Sequence, residues 1–297
     1  MKRRRSIAIV GAGRLGTALS LALRAAGYKL TEVVSRSHPA SRRRTRRLAS
    51  AVQARAVTFD LEPLSADIVW LAVPDGQIVS VAQRLAATNT DWHGKVLLHS
   101  SGSLTSEELR LLKKRGAKVA SAHPLMTFVT RSRPAFRGVP FAVEGDREAV
   151  REVRAIIRHL GAESYAIAKR QKASYHAWAT FISPLLTALL AVSEQIAKAA
   201  GISPAQARRR SAAILRQTIE NYVRIGAAAS FSGPIIRGDA ATVARHLREL
   251  QALPHSARAY HALASAAVDV LPANNQRELA KVLGLDKASI RPETRRA

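Results

Sequence analysis

Residues 7–23 read IAIVGAGRLGTALSLAL, and the reading of this stretch decides the fold. An apolar run leads into Gly11, Gly13 and Gly16, spaced G-x-G-x-x-G, and a segment of helical character follows. A bare turn would need glycine only for steric relief. In a strand–loop–helix unit the three glycines do different things. Gly11 permits the tight turn, Gly13 lets the backbone approach a pyrophosphate, and Gly16 lets helix and sheet pack closely. The helix start at Arg14 and Leu15 then offers unpaired N–H groups and a partial positive charge to an anion. This second reading is preferred because the motif heads an alternating chain.

The alternation runs to about residue 168. SIAIV, LTEVV, AVTF, DIVWLAV, KVLLH, AKVASA, VPFAVE and ESYAI are strand candidates, several apolar throughout, as strands covered on both faces should be. Between them Thr105–Glu108 (TSEE) predicts a capping box, and Gly27, Gly116 and Gly161 fall where helices end. After Lys169 strands give way to Ala, Leu and Arg. A helix is expected from about Arg170 to Ala200, another from Ser203-Pro204 to near Gly226, and one capped by Asp239, with two more behind it. The expected fold is α/β: a doubly wound, mainly parallel sheet over residues 1–168, then an all-α domain over 169–297 that binds substrate and dimerises, its helices carrying more apolar surface than one small domain buries.

The 297 residues include no cysteine, which removes disulfides, thiol nucleophiles and cysteine-held metals; no metal site is expected. The basic start resembles a secretory leader, but Gly11 and Arg14 break the apolar run. The longest apolar tract, AWATFISPLLTALLAV, contains Pro184 and falls short of the ~20 residues that span a bilayer. A soluble, cytoplasmic protein with no membrane partner is the expectation. The net charge of +26 suggests a polyanion partner, yet 36 of the 47 basic residues are arginines dispersed over most helices. No nucleic-acid-binding signature accompanies them, so nucleic acid is not the expected partner.

The second strand ends EVVSRSHPASRRRTRR, placing Ser35, Arg36 and Ser37 where an NAD site carries an acid, with no carboxylate after Glu32. Hydroxyls and a guanidinium suit a 2′-phosphate, so NADP(H) is the expected cofactor. Most of Arg42–Arg47 are read as a solvated helix face. Val73 and Pro74 end the fourth strand as an apolar wall; Asp75 is as readily a helix cap as a ligand contact.

Three polar segments gather at strand ends, where an open sheet binds ligands. HSSGS either offers Ser100, Ser101 and Gly102 to a small polar substrate or is a plain strand-to-helix turn. SAHPLMTF places His123 as a proton donor or relay, with a structural histidine as the alternative. KASYHAWATF sets Lys172 and His176 on one helical face with Tyr175 three residues from the lysine, either over the crevice as an ammonium and an imidazole near the reacting carbon or as a solvent-facing lysine with a half-buried histidine.

HSSGS, AHPLMTF, GVPFAVEGD, KASYHAWATF and SGPIIRGDAATVARHL together resemble the Rossmann-like oxidoreductases with a C-terminal domain of unknown function 2520. Wider relatives include pyrroline-5-carboxylate reductases, β-hydroxyacid dehydrogenases, prephenate dehydrogenases, deazaflavin-linked NADP oxidoreductases and ketopantoate reductases. The resemblance implies a dimer with its site between the two domains. Lys172 matches the dehydrogenase lysine, His176 stands where those enzymes have asparagine, and His123 inherits the role of the prephenate dehydrogenase histidine. Pro184 stands where closer relatives commonly have asparagine. Arg237 is read either as a clamp for a substrate carboxylate, with Asp239 or His246 orienting it, or as part of a loop ahead of an Asp239-capped helix. The expected activity is NADPH-dependent reduction of a C=O or C=N bond in a small polar substrate, such as ketopantoate or a cyclic imine. The proton comes from Lys172 or His123, His176 orients the substrate, and Ser101 bonds its polar end. The alternative is a non-catalytic NADP-binding or regulatory protein of the same fold.

Overall fold

The computed structural model describes residues 4–59, 63–129 and 135–285. The chain divides into two compact units, Met1–Ile182 and Ser183–Ala297.

In the first unit all eight strand candidates form strands: β1 Ile7–Val10, β2 Leu30–Ser35, β3 Arg55–Thr58, β4 Ile68–Leu71, β5 Val96–His99, β6 Lys118–Pro124, β7 Pro140–Gly145 and β8 Glu163–Ala166. They make one sheet in the order β3-β2-β1-β4-β5-β6-β7-β8. Every pair is parallel except β6 with β7. The helices are α1 Arg14–Ala25, α2 Pro39–Val52, α3 Asp75–Ala86, α4 Arg110–Lys114, α5 Arg147–His159 and α6 Lys172–Thr180.

The apolar runs explain the layering. Ile7, Ile9, Ile68, Trp70, Val96 and Leu98 point to the face covered by α1, α2 and α5. Their neighbours Ala8, Val10, Val69, Leu71 and Leu97 point to the face covered by α3 and α4. Strands covered on both sides need apolar residues at every position, and each fully buried Ile or Leu contributes about 1.5–3 kcal/mol. Thr105 does cap, but Oγ1 accepts from the N–H of Glu107, two residues on, at 3.3 Å, and a tight turn over Ser106–Leu109 replaces the expected α-helical start.

The helix expected from Arg170 to Ala200 is interrupted. A tight turn over Lys169–Gln171 leads into α6, a widened π-turn spans Phe181–Leu185, and α7 follows over Leu186–Ala199. Pro184 lies inside the π-turn. Proline has no N–H for the carbonyl four residues back and its ring clashes there; a wider turn accommodates both. The boundary between the two compact units falls in this turn, and the buried Lys172 ties α6 to the first of them through Ser101 and Ser121.

The second unit holds α7, α8 Pro204–Ser230, α9 Ala240–Glu249, α10 Pro254–Val270 and α11 Gln276–Val282. Ser203 and Gln206 form a capping box at the start of α8, and Gly226 breaks its regular geometry at φ 77°. A small core of Val243, Ala264, Val268, Leu279 and Leu283 joins α9, α10 and α11. By contrast α7 and α8 have no buried residue.

Candidate functional site

The glycine loop shows three different environments. Gly11 has φ 107°, and a Cβ there would approach the Ala72 carbonyl oxygen to 2.6 Å. A Cβ on Gly16 would come within 1.9 Å of the Gly11 carbonyl oxygen, so only hydrogen lets α1 pack on β1. At Gly13 the same atom would meet nothing within 4 Å. Gly13 also caps α1 without any side-chain bond. The first-turn N–H groups of a helix have no partners within it, so Arg14 and Leu15 begin a helix whose positive end faces open space. Arg14 is exposed and its guanidinium reaches the Phe128 carbonyl at 3.4 Å.

From this loop a cavity of about 220 Å³ runs over the ends of β1, β2 and β4. Gly11, Gly13, Val73 and Pro74 border it at one end, Ser35 and Arg36 at the other. Ser37 is exposed and is not one of its walls. Arg44 is, although the basic run on α2 reads in sequence as a solvated face. Ser35 is buried and its hydroxyl donates to the Arg36 carbonyl at 3.1 Å. Glu32 is fully buried, and its carboxylate accepts from Ser65 N–H at 3.1 Å, Ser65 Oγ at 2.6 Å and Arg55 Nη2 at 3.1 Å. Burial pushes the Glu32 carboxyl up, but the bonds from Ser65, Thr31 and Arg55 outweigh it and hold the group below the usual range. Glu32 thus fastens β2 and is not a cavity wall. A loop without a Cβ at Gly13 and a far end with arginine and no carboxylate among its described walls fit a phosphate-bearing dinucleotide.

The second cluster lies where β5, β6 and α6 meet. His123, at the end of β6, accepts or donates through Nδ1 to Tyr175 Oη at 2.9 Å. Its ring packs edge-on against His176 at 5.7 Å between centroids. Gly102 fills the remaining space: a Cβ there would lie 2.4 Å from His176 Cδ2 and 3.0 Å from His123 Nε2. Burial, with His176 and Lys172 nearby, pushes the His123 imidazole down to about 4. It is therefore neutral at pH 7. Burial, then a hydrogen bond with Tyr165, raises the Tyr175 hydroxyl, so Tyr175 keeps its proton at pH 7.

Lys172 has no exposed surface. Its ammonium donates to the Ser101 carbonyl at 2.9 Å and Ser121 Oγ at 2.6 Å. Burial lowers it to about 8, against the opposing pull of Glu144 and Asp75. The sequence expectation of an ammonium on the same helical face as His176 is met by spacing, but the group lies beneath the HSSGS turn, not open on the surface. Ser101 is buried as well; its hydroxyl donates to Asp75 at 2.7 Å and accepts from the N–H groups of Ser103 and Leu104. Ser100 Oγ takes the Trp70 indole N–H at 2.8 Å. Both hydroxyls expected to meet substrate are thus engaged in shaping the turn. His99 does the same, its Nε2 to the Thr105 carbonyl at 3.0 Å and its Nδ1 accepting from Ser101 N–H at 3.1 Å.

Sequence reasoning missed Tyr175 as a partner of His123, and Asp75, Ser121 and Glu144 around Lys172. Tyr175 was signalled only by its three-residue spacing from Lys172, and Asp75 only as a helix cap or ligand contact. Arg237 lies in the second unit, exposed in a turn, and Asp239 caps α9 through Thr242 N–H at 3.0 Å. Among the described residues no group of three or more His, Asp or Glu side chains could hold a metal ion.

Residues 139–267 match the family model described as domain of unknown function DUF2520, and residues 1–124 match that of a Rossmann-like domain. The chain is a Rossmann-like protein with a DUF2520 domain. This Rossmann–DUF2520 protein is similar in structure to BF3122 of Bacteroides fragilis, described as a candidate NADP oxidoreductase, with a TM-score of 0.75 and 23% identity over 88% of this chain and 97% of that one. It is similar also to TM1727 of Thermotoga maritima, with a TM-score of 0.67 and 25% identity over 93% of this chain and 98% of the other. An imine reductase of Myxococcus stipitatus, solved with NADP+, gives 0.64 and 15% over 89% and 94%. A comparison with curated proteins finds no significant match.

Proposed function

We propose that this protein is an NADPH-dependent oxidoreductase that reduces a C=O or C=N bond of a small polar substrate, such as a 2-oxo acid or a cyclic imine. The observation that carries the cofactor is the cavity running from Gly13, open where a side chain would stand, to Arg36 and Arg44, with no carboxylate among its described walls. Relatives of this fold described as NADP enzymes support the same reading. When bound, the reduced nicotinamide would supply hydride. The N–H groups at the start of α1 would hold the pyrophosphate, and Arg36 with Arg44 the 2′-phosphate.

In this reading His123 presents Nε2–H to the substrate oxygen or nitrogen. A neutral imidazole polarises a carbonyl by hydrogen bonding and does not repel a cationic iminium. The Nε2–H bond stabilises the charge that develops on that atom as hydride arrives, and the proton the atom finally takes is replaced from solvent, while Tyr175 keeps its own. His176 fixes the other side of the substrate. Lys172 and Ser101 act as positioning residues that hold the turn carrying Gly102.

The second unit is proposed to pair with a second copy. Ile214, Ile219, Tyr222 and Val223 on α8 are 49–76% exposed, as are Leu263 and Val270 on α10. By length and composition one helical stretch among the described residues, Lys169–Ala199, is also long and apolar enough to cross a membrane, at mean hydropathy 1.4. Exposed apolar residues spread over several packed helices favour a protein partner over a single span.

A fluorescence titration tests the cofactor. NADPH is expected to bind at least about tenfold more tightly than NADH, and Arg36→Ala to erase most of that difference. Binding of neither nucleotide would overturn the reading.

A further inference from the structure

We propose that the first unit carries a second anion site, outside the dinucleotide groove, between α2 and the edge strand β3, which takes a phosphate-class anion of about pyrophosphate size. A separate cavity of about 230 Å³ lies there, bordered by Ser35, Arg42, Thr45, Arg46, Arg55 and Thr58. Arg42 and Arg46 stand one turn apart on α2 and bring two guanidiniums to the cavity, while Arg55, already bonded to Glu32, borders it from the start of β3. No carboxylate stands among its described walls. Glu32 bonds Arg55 at 3.1 Å, but it is fully buried and is not a wall.

Thr45 supplies an independent sign. It is 2% exposed, and its hydroxyl has no hydrogen-bond partner among the described residues. A helical threonine ordinarily bonds the carbonyl one turn back; this buried hydroxyl is left unmatched on a residue that borders the cavity.

The donor set selects the ligand class. Guanidinium forks from several directions match the many acceptor oxygens of a phosphate; a carboxylate would satisfy one fork. A water claims ~30 Å³ of liquid, so the cavity has room for several, enough for two linked phosphates. Arg42 and Arg46 are like charges one turn apart, and an anion between them would offset their weak mutual repulsion. Ser35 and Thr45 border both cavities, which puts the anion next to the adenosine end of the groove without occupying it.

Calorimetric titration with sodium pyrophosphate at low ionic strength tests the site and needs no dinucleotide. One saturable site per chain is expected. Arg42→Ala with Arg46→Ala should weaken it about tenfold or more, and Thr45→Val, which keeps the charge, severalfold. Arg209→Ala with Arg210→Ala, removing equal charge from α8, should leave it unchanged, as should saturating NADH. Absence of saturable binding, equal weakening by the α8 substitutions, or full displacement by NADH or NADPH would each overturn the proposal; displacement would assign pyrophosphate to the groove. A protein that binds neither NADH nor NADPH would remove the cofactor reading instead, with the arginine and threonine variants still deciding this one.

Discussion

In the proposed mechanism Tyr175 donates to His123 Nδ1, and that bond sets the ring hydrogen on Nε2. Replacing Tyr175 with Phe removes the donor at Nδ1 while keeping the ring packing against Tyr165 and Trp178. The His123 tautomers should then mix, visible as a shift of its ring nitrogens by 15N NMR, and turnover of a responsive substrate should fall about tenfold to a hundredfold with KM little changed. An unchanged nitrogen spectrum would exclude the positioning role. His99 allows a pH prediction. Burial lowers its imidazole from 6.5 to about 4, so between these values the unfolded chain binds the extra proton and the native one does not. Stability therefore falls as pH drops from 6.5 towards 4, by on the order of 3 kcal/mol for this residue. Urea midpoints measured across that range should show the slope, and His99→Asn should flatten it while costing stability at pH 7.

At the scale of the element, the glycine loop separates packing from binding. Gly16→Ala forces a Cβ into the Gly11 carbonyl and should destabilise the β1–α1 unit by about 1–3 kcal/mol or more. Gly13→Ala adds its methyl to open space and should leave the melting temperature nearly unchanged, yet weaken NADPH binding at least about tenfold. Equal thermal loss in both variants would mean that the loop is only a turn. Strand existence was legible because apolar runs of this length have no other stable place than a covered sheet. The interruption at Pro184 was not, since a proline in a helical pattern signals a break but not whether the chain kinks, stops or widens by one residue.

Across the molecule, the two units differ in how much they bury. The first has a core on each face of its sheet; in the second, α7 and α8 bury nothing, leaving residues such as Val223 76% exposed. Light scattering should give a dimer, and Ile219→Arg with Val223→Arg should yield a monomer or an aggregate while the first unit keeps its NADPH affinity. A wild-type monomer that partitions into detergent would favour the membrane reading of Lys169–Ala199 instead.

Sequence by itself determined the order of strands and helices, the three glycines and the change of character near residue 169, because periodicity and steric need are local. It also named His123, Lys172 and His176. Only the tertiary structure decided their stations: Lys172 inside, bonded to Ser101 and Ser121, and His123 paired with Tyr175 from a helix 52 residues on. Burial and hydrogen-bond partners arise from segments far apart in the chain, and a lysine that is the ammonium of an open site or the buried bolt of a turn is written with the same letter.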